Sequence, residues 1–82
     1  MKKFIFFYFN SQLEKIRETV PSHIGYWNSH KFEYYKGGPF VDKTGGIIIF
    51  TADNTAQANK IISKDPFMIE NLIAEYHLKE WI

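Results

Sequence analysis

The stretch Lys36-Gly37-Gly38-Pro39-Phe40-Val41-Asp42-Lys43-Thr44-Gly45-Gly46-Ile47-Ile48-Ile49-Phe50 decides the fold. Two glycine pairs and a proline bracket a polar segment, Val41 to Thr44, and β-branched and aromatic residues come next. Glycine and proline punctuate reversals, and branched and aromatic side chains suit a pleated surface, so the stretch predicts strand, turn, strand. The residues before it supply one strand and one helical region; those after it supply one helix and one strand. The order is β-α-β-β-α-β, the ferredoxin-like α+β pattern built on a four-stranded antiparallel sheet.

With 82 residues the chain reads as a single domain, residues 1–82, close to the size at which a lone core gives little stability. Its 45% hydrophobic and 18% aromatic content supplies enough apolar surface to offset the entropy of ordering. Ten basic and nine acidic residues give a net charge of +1, which makes no electrostatic case for nucleic acid. No cysteine is present, so disulfides, thiolate nucleophiles and cysteine metal sites are excluded, as befits a cytoplasmic protein. Met1-Lys2-Lys3 followed by Phe4 to Phe9 is too short and too aromatic for a signal peptide, and no stretch is long enough for a membrane span.

The Phe4 to Phe9 run reads instead as a strand, with Ile5, Phe7 and Phe9 on one face and Phe4, Phe6 and Tyr8 on the other. Ser11 and Glu14 form a capping-box signature, and Leu13, Ile16 and Val20 succeed them at helical spacing. Pro21 predicts a bend or restart near Val20, with helix again to about Ser29. Val20, Ile24 and Trp27 then make an inward stripe that His23 joins or borders. Phe32 to Lys36 reads as a short strand, ended by Gly37-Gly38-Pro39. The next strand alternates Ile47, Ile49 and Thr51 against Ile48, Phe50 and Ala52. Asn54 and Gln57 start a second helix with Ala58, Ile61 and Ile62 inward, and Pro66 stops it. Leu72 to Trp81 closes the sheet, with Leu72, Ala74, Tyr76 and Leu78 opposed to Ile73, Glu75, His77, Lys79 and Trp81. Two strands apolar on both faces, with helices for only one face, predict that a second copy covers the other as a two-fold dimer.

Two residues stand out for chemistry. His23, beside apolar and aromatic neighbours, suits a general acid or base, since imidazole titrates near neutrality; a satisfied core or surface histidine is the alternative. Asp65, seven residues after Ala58, lies on the inward stripe at a helix carboxyl end, where a carboxylate opposes the macrodipole. Asp65-Pro66 is equally the start of a new short helix, with aspartate as N-cap. His30 and His77 have no paired His or carboxylate spacing that would make a metal site. Gly37-Gly38 lacks the Gly-Lys-Ser/Thr continuation of a phosphate loop, and the third strand lacks an RNA-recognition signature.

His23 with Tyr26-Trp27, then Gly37-Gly38-Pro39-Phe40, Asp42, Gly45-Gly46, Asp65-Pro66-Phe67 and Glu80-Trp81 together resemble the YCII-related family of small bacterial proteins. The likeness runs from about Pro21 to Trp81; the first strand agrees only in character. It implies a dimeric α+β barrel, the architecture of muconolactone isomerases and small antibiotic-type monooxygenases. It also implies a cleft in which His23 and Asp65 form the active pair, and a relative in the family is a dehydrochlorinase of a chlorinated hydroxyquinone. One departure is a shorter interval from His23 to Gly38-Pro39, which implies a different cleft mouth.

The resulting expectation is a lyase or isomerase acting on a small cyclic substrate without cofactor or metal. His23 moves the proton and Asp65 orients it, Gly38, Pro39 and Phe40 shape the floor, and Tyr26, Trp27 and Tyr34 line the pocket. The alternative is a non-catalytic dimeric module that binds a small ligand.

Overall fold

The computed structural model describes all residues, 1–82. Strand β1 (Lys2–Asn10) leads through helix α1 (Leu13–Asn28) to strands β2 (Tyr35–Pro39) and β3 (Gly45–Ala52). Helices α2 (Thr55–Ser63) and α3 (Pro66–Ile69) come next, and strand β4 (Ile73–Trp81) ends the chain. The sheet is antiparallel throughout with order β2-β3-β1-β4, so the strands expected to be central are central. No helix is long and apolar enough to cross a membrane.

The β2–β3 hairpin closes where Phe40 N–H donates to Gly45 O at 2.8 Å and Lys43, at φ 65°, turns the chain. Asp42 Oδ1 fixes this turn by accepting from both the backbone N–H and the hydroxyl of Thr44. Those two bonds favour the charged carboxylate and hold its pKa below the ordinary aspartate value. The second strand does not occupy Phe32 to Lys36: it begins at Tyr35 and continues through Gly37-Gly38-Pro39, which therefore do not end it. Pro39 is tolerated because β2 is an edge strand. Gly37 is needed for close approach, since a Cβ there would stand 3.0 Å from both Ile47 O and Ile48 Cγ1.

Helix α1 runs unbroken through Pro21, so the expected restart does not occur. Nor does Ser11 cap it: the N-cap is Gln12, without a side-chain bond, and Ser11 N–H is taken by Leu72 O at 3.0 Å. The α2 start is as expected, with Asn54 Oδ1 accepting from Gln57 N–H at 2.8 Å. Along β4 the pairing shifts between Phe9↔Glu75 and Asn10↔Ile73, leaving Ala74 as an extra residue. This bulge reverses the alternation, so Ile73 packs toward the core with Leu78 rather than opposite it.

The helices cover the face formed by Phe4, Phe6 and Tyr8 of β1 and by Ile48, Phe50 and Ala52 of β3. Phe4, Phe6 and Phe50 are wholly buried, and burial of each contributes about 1.5–3 kcal/mol. Ile16 and Trp27 from α1, Ala58 and Ile62 from α2, and Phe67 from α3 close over them. On the opposite face Ile5, Phe7, Ile47 and Ile49 are half-buried, and Phe9 and Trp81 are exposed, with no element above them.

Candidate functional site

The site forms where α1, α3 and the β1/β3 centre meet. Asp65 leaves α2 in extended backbone (φ −60°, ψ 131°), and Pro66 supplies the first residue of α3. Its carboxylate is fully buried and takes three N–H donors. His23 Nδ1 and Phe67 N reach Oδ1, each at 2.8 Å, and Trp27 Nε1 reaches Oδ2 at 2.8 Å. Both readings of Asp65 therefore hold together: it caps α3 and it engages His23. The spacing explains the convergence, because His23 and Trp27 lie one helical turn apart on α1 and face the same point.

Since the carboxylate only accepts, the hydrogen bond assigns the Nδ1–H tautomer to neutral His23 and puts its lone pair at Nε2. Phe67 lies flat against the imidazole, with ring centroids 3.9 Å apart and planes 6° from parallel. The ring is thus fixed by a bond at one edge and by stacking on one face. Asn10 Oδ1 is the sole buried side-chain polar atom without a partner. His23 Nε2 and the Tyr8 hydroxyl also make no hydrogen bond and are not shut off, so both open toward free space.

That space is a cavity of about 400 Å³ between α1 and the sheet. Ile16, Val20, His23 and Ile24 form its helical wall, Tyr8, Tyr35 and Ile48 its sheet wall, and Phe67 its far end. Of the residues expected to line it, Gly38 and Pro39 do so. Four others lie elsewhere. Trp27 is 1% exposed in the core, holding Asp65, and the Tyr26 hydroxyl donates to Ile61 O. Tyr34 sits ahead of β2 with Lys3 Nζ 4.7 Å from its ring centroid, and Phe40 packs on Phe9 with centroids 6.1 Å apart.

Tyr8, Tyr35 and Phe67 are the aromatic residues of the site that sequence reasoning left out. Tyr8 carried a legible signal, as the polar end of the otherwise apolar Phe4, Phe6, Tyr8 face. Burial first, then the negative charge of Asp65 and then Tyr35, push the Tyr8 phenol far above its ordinary pKa. Burial and the Asp65 charge also raise Tyr26 and Tyr35. No group of three or more His, Asp or Glu side chains is placed to hold a metal ion.

The YCII-related domain model matches residues 1–82. Among solved structures, the chain is similar to the 5-chloro-2-hydroxyhydroquinone dehydrochlorinase of Burkholderia phenoliruptrix AC1100 in complex with 2,5-dihydroxybenzoquinone. The TM-score is 0.84 at 20% identity, covering 98% of this chain and 93% of that one. Protein SO0527 from Shewanella oneidensis is similar with a TM-score of 0.57 at 11% identity, covering 98% of this chain and 89% of that one. No curated protein sequence matches the chain. At these identities the two structures show a shared fold.

Proposed function

Because the chain belongs to the YCII-related family along residues 1–82, we propose that it is a small-molecule enzyme of lyase or isomerase type whose proton carrier is His23. The observation that supports this most is the His23 Nδ1 to Asp65 Oδ1 bond at 2.8 Å, made by a wholly buried carboxylate behind an imidazole that fronts a cavity. Nε2 takes a proton from a carbon of the bound ring, and Asp65 stabilises the imidazolium that results. Returning the proton to another carbon makes an isomerase; loss of an anion from the neighbouring carbon, with the proton passed on to solvent, makes a lyase. Gly38 and Pro39 shape the floor beneath the substrate.

A small cyclic substrate suits the cavity volume and the flat Phe67 and Tyr35 surfaces. The similar dehydrochlorinase, named for a chlorinated hydroxyhydroquinone and holding a dihydroxybenzoquinone, supports the same class. The uncovered apolar sheet face supports pairing with a second copy as a homodimer. We place the protein in the cytoplasm, where a domain without disulfides is ordinary.

The test is chloride release from 5-chloro-2-hydroxyhydroquinone, together with deuterium uptake from solvent by a panel of cyclic ketones. Turnover by the native protein that falls about 10²–10⁴-fold in His23→Gln supports the reading. Native protein that binds these rings without exchanging or eliminating anything is a ligand-binding module instead.

A further inference from the structure

Proton transfer by His23 uses one of the polar groups that line the cavity, and the Tyr8 hydroxyl beside it is another. The Tyr8 side chain is 5% exposed and lies across Gly46, where a Cβ would come within 2.6 Å of the hydroxyl oxygen. The glycine therefore makes the room in which this oxygen sits. The ring meets His23 edge-on at 6.3 Å between centroids and Phe67 at 6.0 Å, so the three side chains surround one end of the cavity. The hydroxyl donates to no protein group and is open to the cavity, so its proton is available to a ligand bound there.

The charges around this space are equally informative. No lysine, arginine, aspartate or glutamate lines the cavity; its polar side chains are Tyr8, Asn10, His23, Asn28 and Tyr35. The Asp65 carboxylate stands behind His23, and its field reaches Tyr8, Tyr26 and Tyr35. An anionic ligand would enter against that field and find no cation to pair with.

We propose that Tyr8 is the binding residue for a carbonyl oxygen of an uncharged ring, donating its O–H to that oxygen while the adjacent ring C–H faces the lone pair of His23 Nε2, and that carboxylate and phosphate substrates are excluded. When His23 Nε2 takes the proton next to the carbonyl, the C–H bond breaks and its electron pair forms the C=C bond of an enolate. The charge then resides on the oxygen to which Tyr8 donates. Tyr8 keeps its own proton throughout, and the proton on His23 leaves either to another ring carbon, as in an isomerase, or to solvent, as in a lyase. The hydrogen bond strengthens as charge develops, which lowers the barrier rather than merely tightening binding.

The inference rests on reading this cavity as the ligand site, and its test is independent of turnover. Cyclohexenone isotope-labelled at the carbonyl carbon is titrated into the native protein and followed by NMR. A saturable downfield shift of that carbon is expected, because a hydrogen-bond donor polarises the carbonyl. Tyr8→Phe keeps the buried ring, and should lose the downfield shift and bind roughly tenfold more weakly. His23→Gln should keep the shift, even if it abolishes all catalysis. Cyclohexanecarboxylate should bind at least tenfold more weakly than cyclohexenone. Tyr8→Phe behaving as native, or no saturable shift in the native protein, overturns the role of Tyr8. Carboxylate binding as tight as that of the ketone overturns the uncharged class. Loss of turnover in His23→Gln without these effects would leave the proton-transfer reading standing and this one refuted.

Discussion

Asp65 is held by three N–H groups, two side-chain donors from α1 and one backbone donor from α3, and only a carboxylate can accept from all of them. Asparagine has one accepting oxygen, so Asp65→Asn turns an amide N–H toward either Trp27 Nε1–H or His23 Nδ1–H. The unsatisfied buried donor should cost about 1–3 kcal/mol in urea denaturation. The same variant should lose the slowly exchanging imidazole Nδ1–H resonance of His23. Tyr8 gives the pH dependence. Its phenol is raised in the folded state, so above about pH 10 the unfolded chain releases a proton that the folded one keeps. Stability is full below that pH and declines as pH rises, by about 1.4 kcal/mol per pH unit for this group. Tyr8→Phe should flatten the decline in denaturation curves taken between pH 9 and 11, roughly the window that the ordinary tyrosine pKa opens.

Among the elements, α1 contains the clearest conflict between local preference and fold. Pro21 lacks the N–H that would bond Arg17 O, and proline is the least favourable residue of a helix interior, yet the helix continues. Packing of Ile16, His23 and Trp27 on either side outweighs the local penalty. Pro21→Ala should therefore stabilise the protein, by about 1–2 kcal/mol after the greater freedom of the unfolded alanine chain is subtracted, measured by urea denaturation. The glycines of the hairpin divide in the same spirit. A Cβ at Gly45 would collide with Tyr8 O of the neighbouring strand, whereas one at Gly38 meets nothing within 4 Å. Gly45→Ala should cost about 3 kcal/mol or more by forcing β1 and β3 apart, and Gly38→Ala less than about 0.5 kcal/mol. Their thermal midpoints, compared side by side, distinguish the two.

For the molecule as a whole, the two sheet faces are unequal. One is closed by three helices; the other presents Ile5, Phe7 and Phe9 beside Ile47 and Ile49, with Phe7 stacked on His77 at 4.8 Å. Pairing of two copies through this face is the proposal that explains so many apolar residues there. Light scattering should give twice the 9.7 kDa chain mass for the native protein and the single-chain mass for Phe7→Glu, with the circular dichroism spectrum retained. A native monomer would remove the dimer from the proposal.

The element order and the central position of β1 and β3 were legible in the sequence, because strand alternation and helix caps are local signals. Asn54 with Gln57 was such a signal, and so was Asp65-Pro66. Ser11 with Glu14 looked the same and failed, because Ser11 N–H was claimed by Leu72, a residue 61 positions away. The Ala74 bulge, the passage of β2 through Gly37-Gly38 and the unbroken α1 were likewise decided by contacts with distant strands and helices. His23 and Asp65 could be named from the sequence as a pair, with the help of a family resemblance. Their distance, the recruitment of Trp27 to Asp65 instead of the pocket, and the arrival of Tyr8 and Phe67 beside His23 belong to the tertiary structure. The reason is physical: helix and strand periods determine which face a residue occupies, while only packing across the sheet determines what it meets there.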